Sequence, residues 1–338
     1  MLTTFLYDAF QRFSGRLGTA PDGPSASCVQ SIDQLAELII DETSSKLRAI
    51  PGSVRRLRGP ITNTLRYVDD ISGQIPGAVH CRRSTFTEDP RVNAFFVDHK
   101  HLQEVFSQSK EVRDLFDHNP DAAECFALLC MCREERKYLG MALVDDIVRN
   151  EVMQTSVSFS DHQIISPGIG EADARCALKC CIVKSLISYI RKQSIEAATQ
   201  AADLENRHRA LSARLKRLEL NPSGAGDPIE LRRKLETIEV QMGGQGRRFT
   251  SLEDQFDFVI EVLSHPEQVL KGRKCSLFLD RLGVKHEALG AGAAYELPFA
   301  EIEMVRQRPR VASLVCFPRE ELLPKRDFLR EASIFLAA

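Results

Sequence analysis

The longest regular pattern of apolar positions in this chain lies between residues 170 and 220. No proline or glycine occurs between Gly170 and Asn221, and apolar residues recur there at alternating intervals of three and four. This heptad spacing predicts a single helix with a seam of the coiled-coil type, roughly 75 Å long for about fifty residues. Ser194 and His208 interrupt the seam. Its apolar members are Cys176, Cys180, Val183, Ile187, Ile190, Ala197, Ala201, Leu204, Leu211, Leu215 and Leu218.

A polar loop and a second, shorter helix are predicted to follow. The loop at residues 221–228 contains two prolines and two glycines, residue types that end one helix and begin the next. Apolar residues then return at helical spacing between Leu231 and Met242. Two helices joined by a short loop lie antiparallel, so we expect residues 229–242 to cover the long helix from Leu204 to Leu218.

The remaining patterns predict further helices and several strands. Helical spacing occurs over residues 1–18 and in stripes that begin near Ser31, Ile61 and Asp98, and Asn119-Pro120 predicts a helix that continues to Lys137. Alternation within 138–165 predicts a β-hairpin. After Lys271, four strand patterns predict a small antiparallel sheet, and a final helix is expected near 326–335. Thr250 and Glu253 predict a capping box.

These elements predict a mostly helical α+β fold. It would contain a long helix with an antiparallel coiled-coil hairpin, one β-hairpin in the middle of the chain, and a small C-terminal antiparallel sheet with helices. Residues 87–175 carry 9 basic and 17 acidic side chains, whereas residues 176–248 carry 14 and 8, which favours separate units. The expected regions are helical 1–86, acidic helical plus β-hairpin 87–170, the coiled-coil hairpin 171–246, and an α+β unit 249–338.

The overall composition is that of a globular protein. Hydrophobic residues make up 43% and charged residues 27% of the 338 positions, and 45 basic residues balance 47 acidic ones, so no global nucleic-acid or membrane-surface signature is present. No apolar run approaches the ~18 residues of a membrane span. Ten cysteines without a C-x-x-C motif or a signal peptide are typical of thiols in a reducing compartment, which predicts a cytoplasmic protein.

Two groups of cysteines raise the question of a metal site. Cys125 and Cys132 share a face of one predicted helix, and Cys176 and Cys180 share a face of another. Four thiolates brought together in this way could hold a zinc ion or an iron–sulfur cluster. A thiol at a seam position also packs as a small apolar group, and we favour this interpretation. We therefore predict no cofactor.

His162 and the carboxylates near it in sequence form the basis of an enzymatic alternative. Asp145, Asp146, Glu151 and Asp161 lie within reach along the chain, and a histidine paired with a carboxylate can act as a general base. Strand alternation places Asp161 and His162 on opposite faces, and no nucleophile motif accompanies them. An enzyme of unknown class is thus the second alternative, and the sequence favours a non-enzymatic protein.

The apolar seam predicts an interaction or assembly protein, an adaptor whose long helix contacts a protein partner or a second copy in a homodimer. The predicted contact residues are Ile187, Ile190, Leu204, Leu211 and Leu215. The first alternative is a nucleic-acid-associated factor, because residues 207–248 form a basic arm. Glutamates interleave with these charges and no aromatic residue is available there for base stacking, which favours a solvated or protein-binding face. The basic residues are Arg207, Arg209, Arg214, Lys216, Arg217, Arg232 and Arg233.

Overall fold

The computed structural model describes residues 26–144, 147–220, 227–244, 251–287 and 294–324. The chain divides into two compact units, each built from two separate stretches. The first unit comprises Met1–Tyr67 and Ile182–Val269, and the second comprises Val68–Cys181 and Leu270–Ala338. The helices predicted over 1–18 and 326–335 lie outside the described residues.

The described chain contains runs of helices separated by strands. The helices are α1 (Ala26–Thr43), α2 (Ser53–Gln74), α3 (Thr85–Glu88), α4 (Pro90–Phe95), α5 (His99–Gln108), α6 (Lys110–His118), α7 (Glu171–Leu220), α8 (Pro228–Gly244) and α9 (Leu252–Ser264). The strands are β1 (Val79–His80), β2 (Glu124–Val144), β3 (Ile147–Gly168), β4 (Leu270–Leu279), β5 (Lys285–His286), β6 (Tyr295–Met304) and β7 (Arg310–Pro318). Short 3-10 turns span Ser45–Ala49, Pro266–Gln268 and Arg319–Glu321.

The first unit is helical, and most of its buried side chains come from α1, α2, α7 and α9. The hydroxyl of Thr64 donates to the backbone oxygen of Leu263 over 2.6 Å, which ties α2 to the end of α9. Arg56 of α2 also pairs with Asp257 of α9 over 3.1 Å. The core side chains include Leu35, Ile39, Leu57, Ile61, Leu65, Leu186, Ile190, Phe256, Val259 and Leu263.

The predicted long helix is confirmed, since α7 continues from Glu171 to Leu220 without a break. The predicted second helix begins at Pro228, where the carboxylate of Asp227 accepts a hydrogen bond from the N–H of Ile229 over 2.9 Å. Glu219 pairs with Arg232 over 2.8 Å and Glu239 pairs with His208 over 3.2 Å. Because the numbering rises on α8 as it falls on α7, the two helices are antiparallel, as the short loop predicted.

Seven strands of the second unit form one sheet in the order β3-β2-β7-β6-β4-β5, with β1 added in parallel beside β7. All other neighbouring strands are antiparallel. The sheet curls so that β3, at one end of this order, meets the residues just before β5, at the other end. Ser156 of β3 bridges to Val284, and the N–H of Val157 donates to the oxygen of Gly283 over 2.8 Å. The result is a nearly closed barrel.

This barrel corrects the predicted fold class. We expected one isolated β-hairpin and a separate small C-terminal sheet, but β2 of the hairpin pairs with β7 from Glu124↔Pro318 to Met131↔Val311. The hairpin and the C-terminal strands therefore belong to the same sheet. Pairing between segments so far apart in sequence leaves no trace in local periodicity, which reports only which residues of each strand are apolar.

The predicted helix from Asn119 to Lys137 is also wrong, because β2 begins within this segment, at Glu124. Asn119 ends α6 instead of starting a helix: its backbone N–H and its side-chain amide both donate to the oxygen of Leu115, over 3.0 and 2.8 Å. All residues from Leu128 to Met131 are buried. A strand covered on both faces has a continuous apolar run, which local periodicity does not distinguish from a buried helix.

One face of the sheet packs against α4, α5 and α6; we call it the inner face. Phe106 of α5 stacks on Phe317 of β7 with ring centroids 4.3 Å apart, and Phe95 of α4 meets Phe159 of β3 edge-on at 5.4 Å. The inner face includes Cys125, Ala127, Leu129, Val315 and Phe317. The alternate residues of the same strands project from the opposite, outer face.

Candidate functional site

The five predicted contact residues on α7 fall into two groups. Ile187 and Ile190 are 3% and 0% exposed and belong to the core of the first unit. Leu204, Leu211 and Leu215 lie farther along the helix and are half-buried. The structure therefore leaves only the second group at a surface that a partner can reach.

The part of α7 that follows the core has little cover, and we call Arg191–Leu220 together with α8 the helical hairpin. Among the described side chains of Arg191–Leu220, only Leu218 is buried, at 9% exposure. On α8, Leu231 and Leu235 are buried. Several other apolar side chains of the helical hairpin are strongly exposed: Ile195, Leu220, Ile229 and Val240.

The predicted basic residues also lie on the helical hairpin, and some of them are in ion pairs. Arg209 pairs with Glu205 over 3.1 Å, and Arg232 pairs with Glu219 over 2.8 Å. These acidic partners reduce the positive charge that a phosphate backbone would meet. The further basic residues of the prediction are exposed: Arg207, Arg214, Lys216, Arg217 and Arg233.

His162 is held by backbone and aromatic contacts of the second unit. Its Nε2 lies 2.6 Å from the oxygen of Phe95, and because a carbonyl oxygen can only accept, Nε2 carries the proton. The ring stacks on Phe96 at 5.4 Å and meets the His101 ring edge-on at 4.8 Å. Burial lowers the pKa of His162, and the His101 charge acts in the same direction.

The carboxylates near His162 in sequence do not form a dyad with it in the described structure. Asp161 has a positive φ of 52° and pairs with Arg310 over 2.7 Å. Glu151, also at positive φ, is exposed near the turn of the long β2–β3 hairpin. Asp145 and Asp146 lie outside the described residues. The local arrangement at His162 is that of a packed, hydrogen-bonded histidine.

The four cysteines considered as metal ligands occupy different environments. Cys125 lies in the inner core, where burial raises the pKa of its thiol to about 12. Cys132 lies farther along β2 and is partly exposed. Cys176 and Cys180 are buried on α7 and hydrogen-bonded to each other. The one set of three metal-binding side chains found in close proximity among the described residues includes none of these four.

That set, which sequence reasoning missed, consists of His80, Glu124 and Cys316. The parallel register places His80 beside Cys316, and the antiparallel register places Phe126 on the other side of Cys316. Glu124, two residues before Phe126, projects from the same face. One donor atom of each of the three side chains lies within 4.8 Å of the other two. We call this group the three-donor cluster.

A hydrogen bond already joins two members of the three-donor cluster. The Cys316 thiol donates to Oε2 of Glu124 over 3.2 Å, and Oε1 of Glu124 pairs with the Arg82 guanidinium. The Cys316 hydrogen bond and Arg82 hold the pKa of Glu124 below its ordinary value, against the effect of burial. Burial raises the pKa of Cys316 to about 12, and the nearby Glu124 carboxylate adds to this shift. His80 is exposed, so the cluster is open to solvent on that side.

No family model, curated protein sequence or solved structure matches this chain. None of the described helices combines the length and the apolar content that crossing a bilayer requires, in agreement with the prediction of no membrane span. A function for the protein is therefore inferred from the described side chains alone.

Proposed function

We propose that this protein is a non-enzymatic assembly protein and that it self-associates through the helical hairpin. The observation that carries this proposal is the incomplete cover of the seam. Apolar heptad positions continue to the end of α7, yet Leu218 is the one buried side chain in the described stretch Arg191–Leu220.

Two antiparallel helices by themselves cover only one side of such a seam. Leu204, Leu211 and Leu215 are half-buried although α8 runs alongside their part of α7. Burying a leucine side chain fully contributes about 1.5–3 kcal/mol of free energy. Leu204, Leu211 and Leu215 are each only partly exposed, so at most about a third of that free energy remains available at each position. A second helical pair packed on the same stripe would supply the missing contacts, as in a four-helix bundle.

A second copy of this chain is the occupant that the seam fits. Two identical stripes related by a two-fold axis are self-complementary, and mixed charges along both helices allow like surfaces to approach.

The test is the mass of the protein in solution. Sedimentation velocity over a concentration series is expected to show a species of twice 37.9 kDa for the native chain. The triple variant Leu204→Lys, Leu211→Lys, Leu215→Lys is expected to be monomeric, with the helical circular dichroism of the native protein.

The matched control is Leu282→Lys, which replaces an 86% exposed leucine of the second unit and is expected to leave the dimer intact. A native chain that stays monomeric at high concentration would overturn self-association. A dimer that persists in the triple variant would also overturn it, because the leucine stripe would then not be the interface.

A further inference from the structure

The three-donor cluster lies on three adjacent strands, β1, β7 and β2, whose backbones are fixed by hydrogen bonds. The N–H of Cys81 donates to the oxygen of Cys316 over 2.7 Å, and the N–H of Arg319 donates to the oxygen of Ala123 over 2.8 Å. The Thr85 hydroxyl donates to the oxygen of His80 over 2.7 Å. The positions from which the three side chains project are therefore set by the sheet.

We propose that His80, Glu124 and Cys316 form a binding site for a divalent transition-metal ion, with zinc as the best-matched metal. Imidazole nitrogen, carboxylate oxygen and thiolate sulfur are the three donors that zinc uses in proteins. Around a tetrahedral zinc ion such atoms lie about 3.2–3.8 Å apart, given metal–ligand distances of about 2.0–2.3 Å. The sulfur of Cys316 and Oε2 of Glu124 are already separated by 3.2 Å.

Metal binding would replace the proton that Cys316 and Glu124 share. The thiol hydrogen lies between the sulfur and Oε2, and a metal ion at this position takes both atoms as ligands while the proton is released to solvent. His80 then completes the set by a rotation of its exposed side chain. With three protein ligands, the fourth position of a tetrahedral ion is left for water, as in open zinc sites.

Arg82 orients the carboxylate without occupying the metal-facing oxygen. It pairs with Oε1 of Glu124, which leaves Oε2 directed toward Cys316. Hydrogen bonds of this kind to the second oxygen of a ligating carboxylate hold the ligand in place around bound metals.

A second group of side chains in the same sheet resembles the three-donor cluster and its arginine but has no histidine. Cys275 donates to Oε2 of Glu301 over 3.8 Å, and Arg273 donates to the same carboxylate over 2.9 Å. This is also a cysteine, a glutamate and an arginine, but the set of close metal-binding side chains found in the described structure does not include it. Cys275 is therefore the natural control for Cys316.

The experiment uses the full chain, freed of metal with a chelator under reducing conditions and titrated with Co²⁺ as a spectroscopic probe. We expect one ion per chain by elemental analysis, with visible bands typical of tetrahedral Co²⁺ and a near-ultraviolet sulfur-to-cobalt band. Zn²⁺ is expected to bleach these bands and to raise the melting temperature, since it binds the folded state.

Four variants decide the outcome. Cys316→Ser is expected to abolish the sulfur-to-cobalt band. Glu124→Gln and His80→Gln are each expected to weaken Co²⁺ binding at least tenfold. Cys275→Ser is expected to bind Co²⁺ with the affinity and the spectrum of the native chain. Because His80 is exposed, His80→Gln tests the site even if the buried substitution Cys316→Ser does not fold. The proposal would be overturned if the native chain showed no sulfur-to-cobalt band. It would also be overturned if His80→Gln kept the band and bound Co²⁺ with full affinity, or if folded Cys275→Ser lost the band.

Discussion

Arg133 of β2 and Glu301 of β6 form an ion pair in the second unit, with Nη2 of the arginine 2.9 Å from Oε1 of the glutamate. The Glu301 side chain is only 5% exposed, and its other oxygen accepts from Arg273. A carboxylate with so little contact to water depends on these partners for its stability.

Glu301→Gln is therefore expected to lower the free energy of unfolding by about 2 kcal/mol, because it removes the negative charge between two arginines. The measurement is the midpoint and slope of urea denaturation. Glu303→Gln is the matched control, two residues farther along the same strand but exposed, and it should change stability by less than about 0.5 kcal/mol. Equal effects of the two substitutions would contradict a role for the buried pair.

Gly272 of β4 allows the close approach of Ile71, which lies in the last part of α2, the part that belongs to the second unit. A Cβ atom at this position would lie 2.8 Å from Cγ2 of Ile71. Gly272→Ala is therefore expected to cost about 1–3 kcal/mol of unfolding free energy through overpacking, as measured by thermal or urea denaturation. In an Ile71→Ala background, Gly272→Ala should change the free energy of unfolding little, because Cγ2 of Ile71 is then absent.

The control for this prediction is Gly77→Ala, where an added Cβ would meet no atom within 4 Å. It is expected to leave stability unchanged or to raise it slightly, because it restricts the unfolded chain. If Gly77→Ala lowered the free energy of unfolding as much as Gly272→Ala, the cause would be a general intolerance of alanine rather than a contact with Ile71.

His162 is expected to make the protein less stable in mild acid. Burial lowers its pKa in the folded state below the unfolded value of about 6.5. In the window below pH 6.5 the unfolded chain binds more protons, so the stability present at neutral pH declines as the pH falls. His162→Gln, which keeps an N–H donor for the oxygen of Phe95, should show a smaller loss of stability between pH 7 and pH 5.

The urea midpoint at each pH measures this effect, and the same substitution at the exposed His265 serves as the control. The His265→Gln variant is expected to follow the pH dependence of the native chain. If the stability of His162→Gln showed the same pH dependence as the native chain, the loss of stability in acid would have to originate at other titratable groups.

Features governed by neighbouring residues could be predicted from the sequence. The heptad spacing of apolar residues, together with the absence of proline and glycine between Glu171 and Leu220, predicts α7. At the start of α9, Ser251 and Asp254 form a capping box, whereas the predicted box involves Thr250, which lies outside the described residues.

Features governed by pairing between distant strands could not be predicted. The strand pattern of β7 was recognised, but nothing in Val311–Phe317 indicates that its partner is Glu124–Met131. The three-donor cluster depends on the same pairing, because His80, Glu124 and Cys316 follow no common spacing and meet only when β1 and β2 flank β7. Cysteine spacing alone therefore indicates a different set of thiols.

The arrangement of β2 beside β7 also has a consequence for synthesis of the protein. At the ~5–20 residues per second of translation, roughly 10–40 s separate the synthesis of Glu124 from that of its partner Pro318. Throughout that interval one edge of β2 has unpaired N–H and C=O groups next to a largely apolar sequence. The edge of β2 that β7 covers in the folded protein is thus open to mispairing with neighbouring nascent chains until β7 emerges.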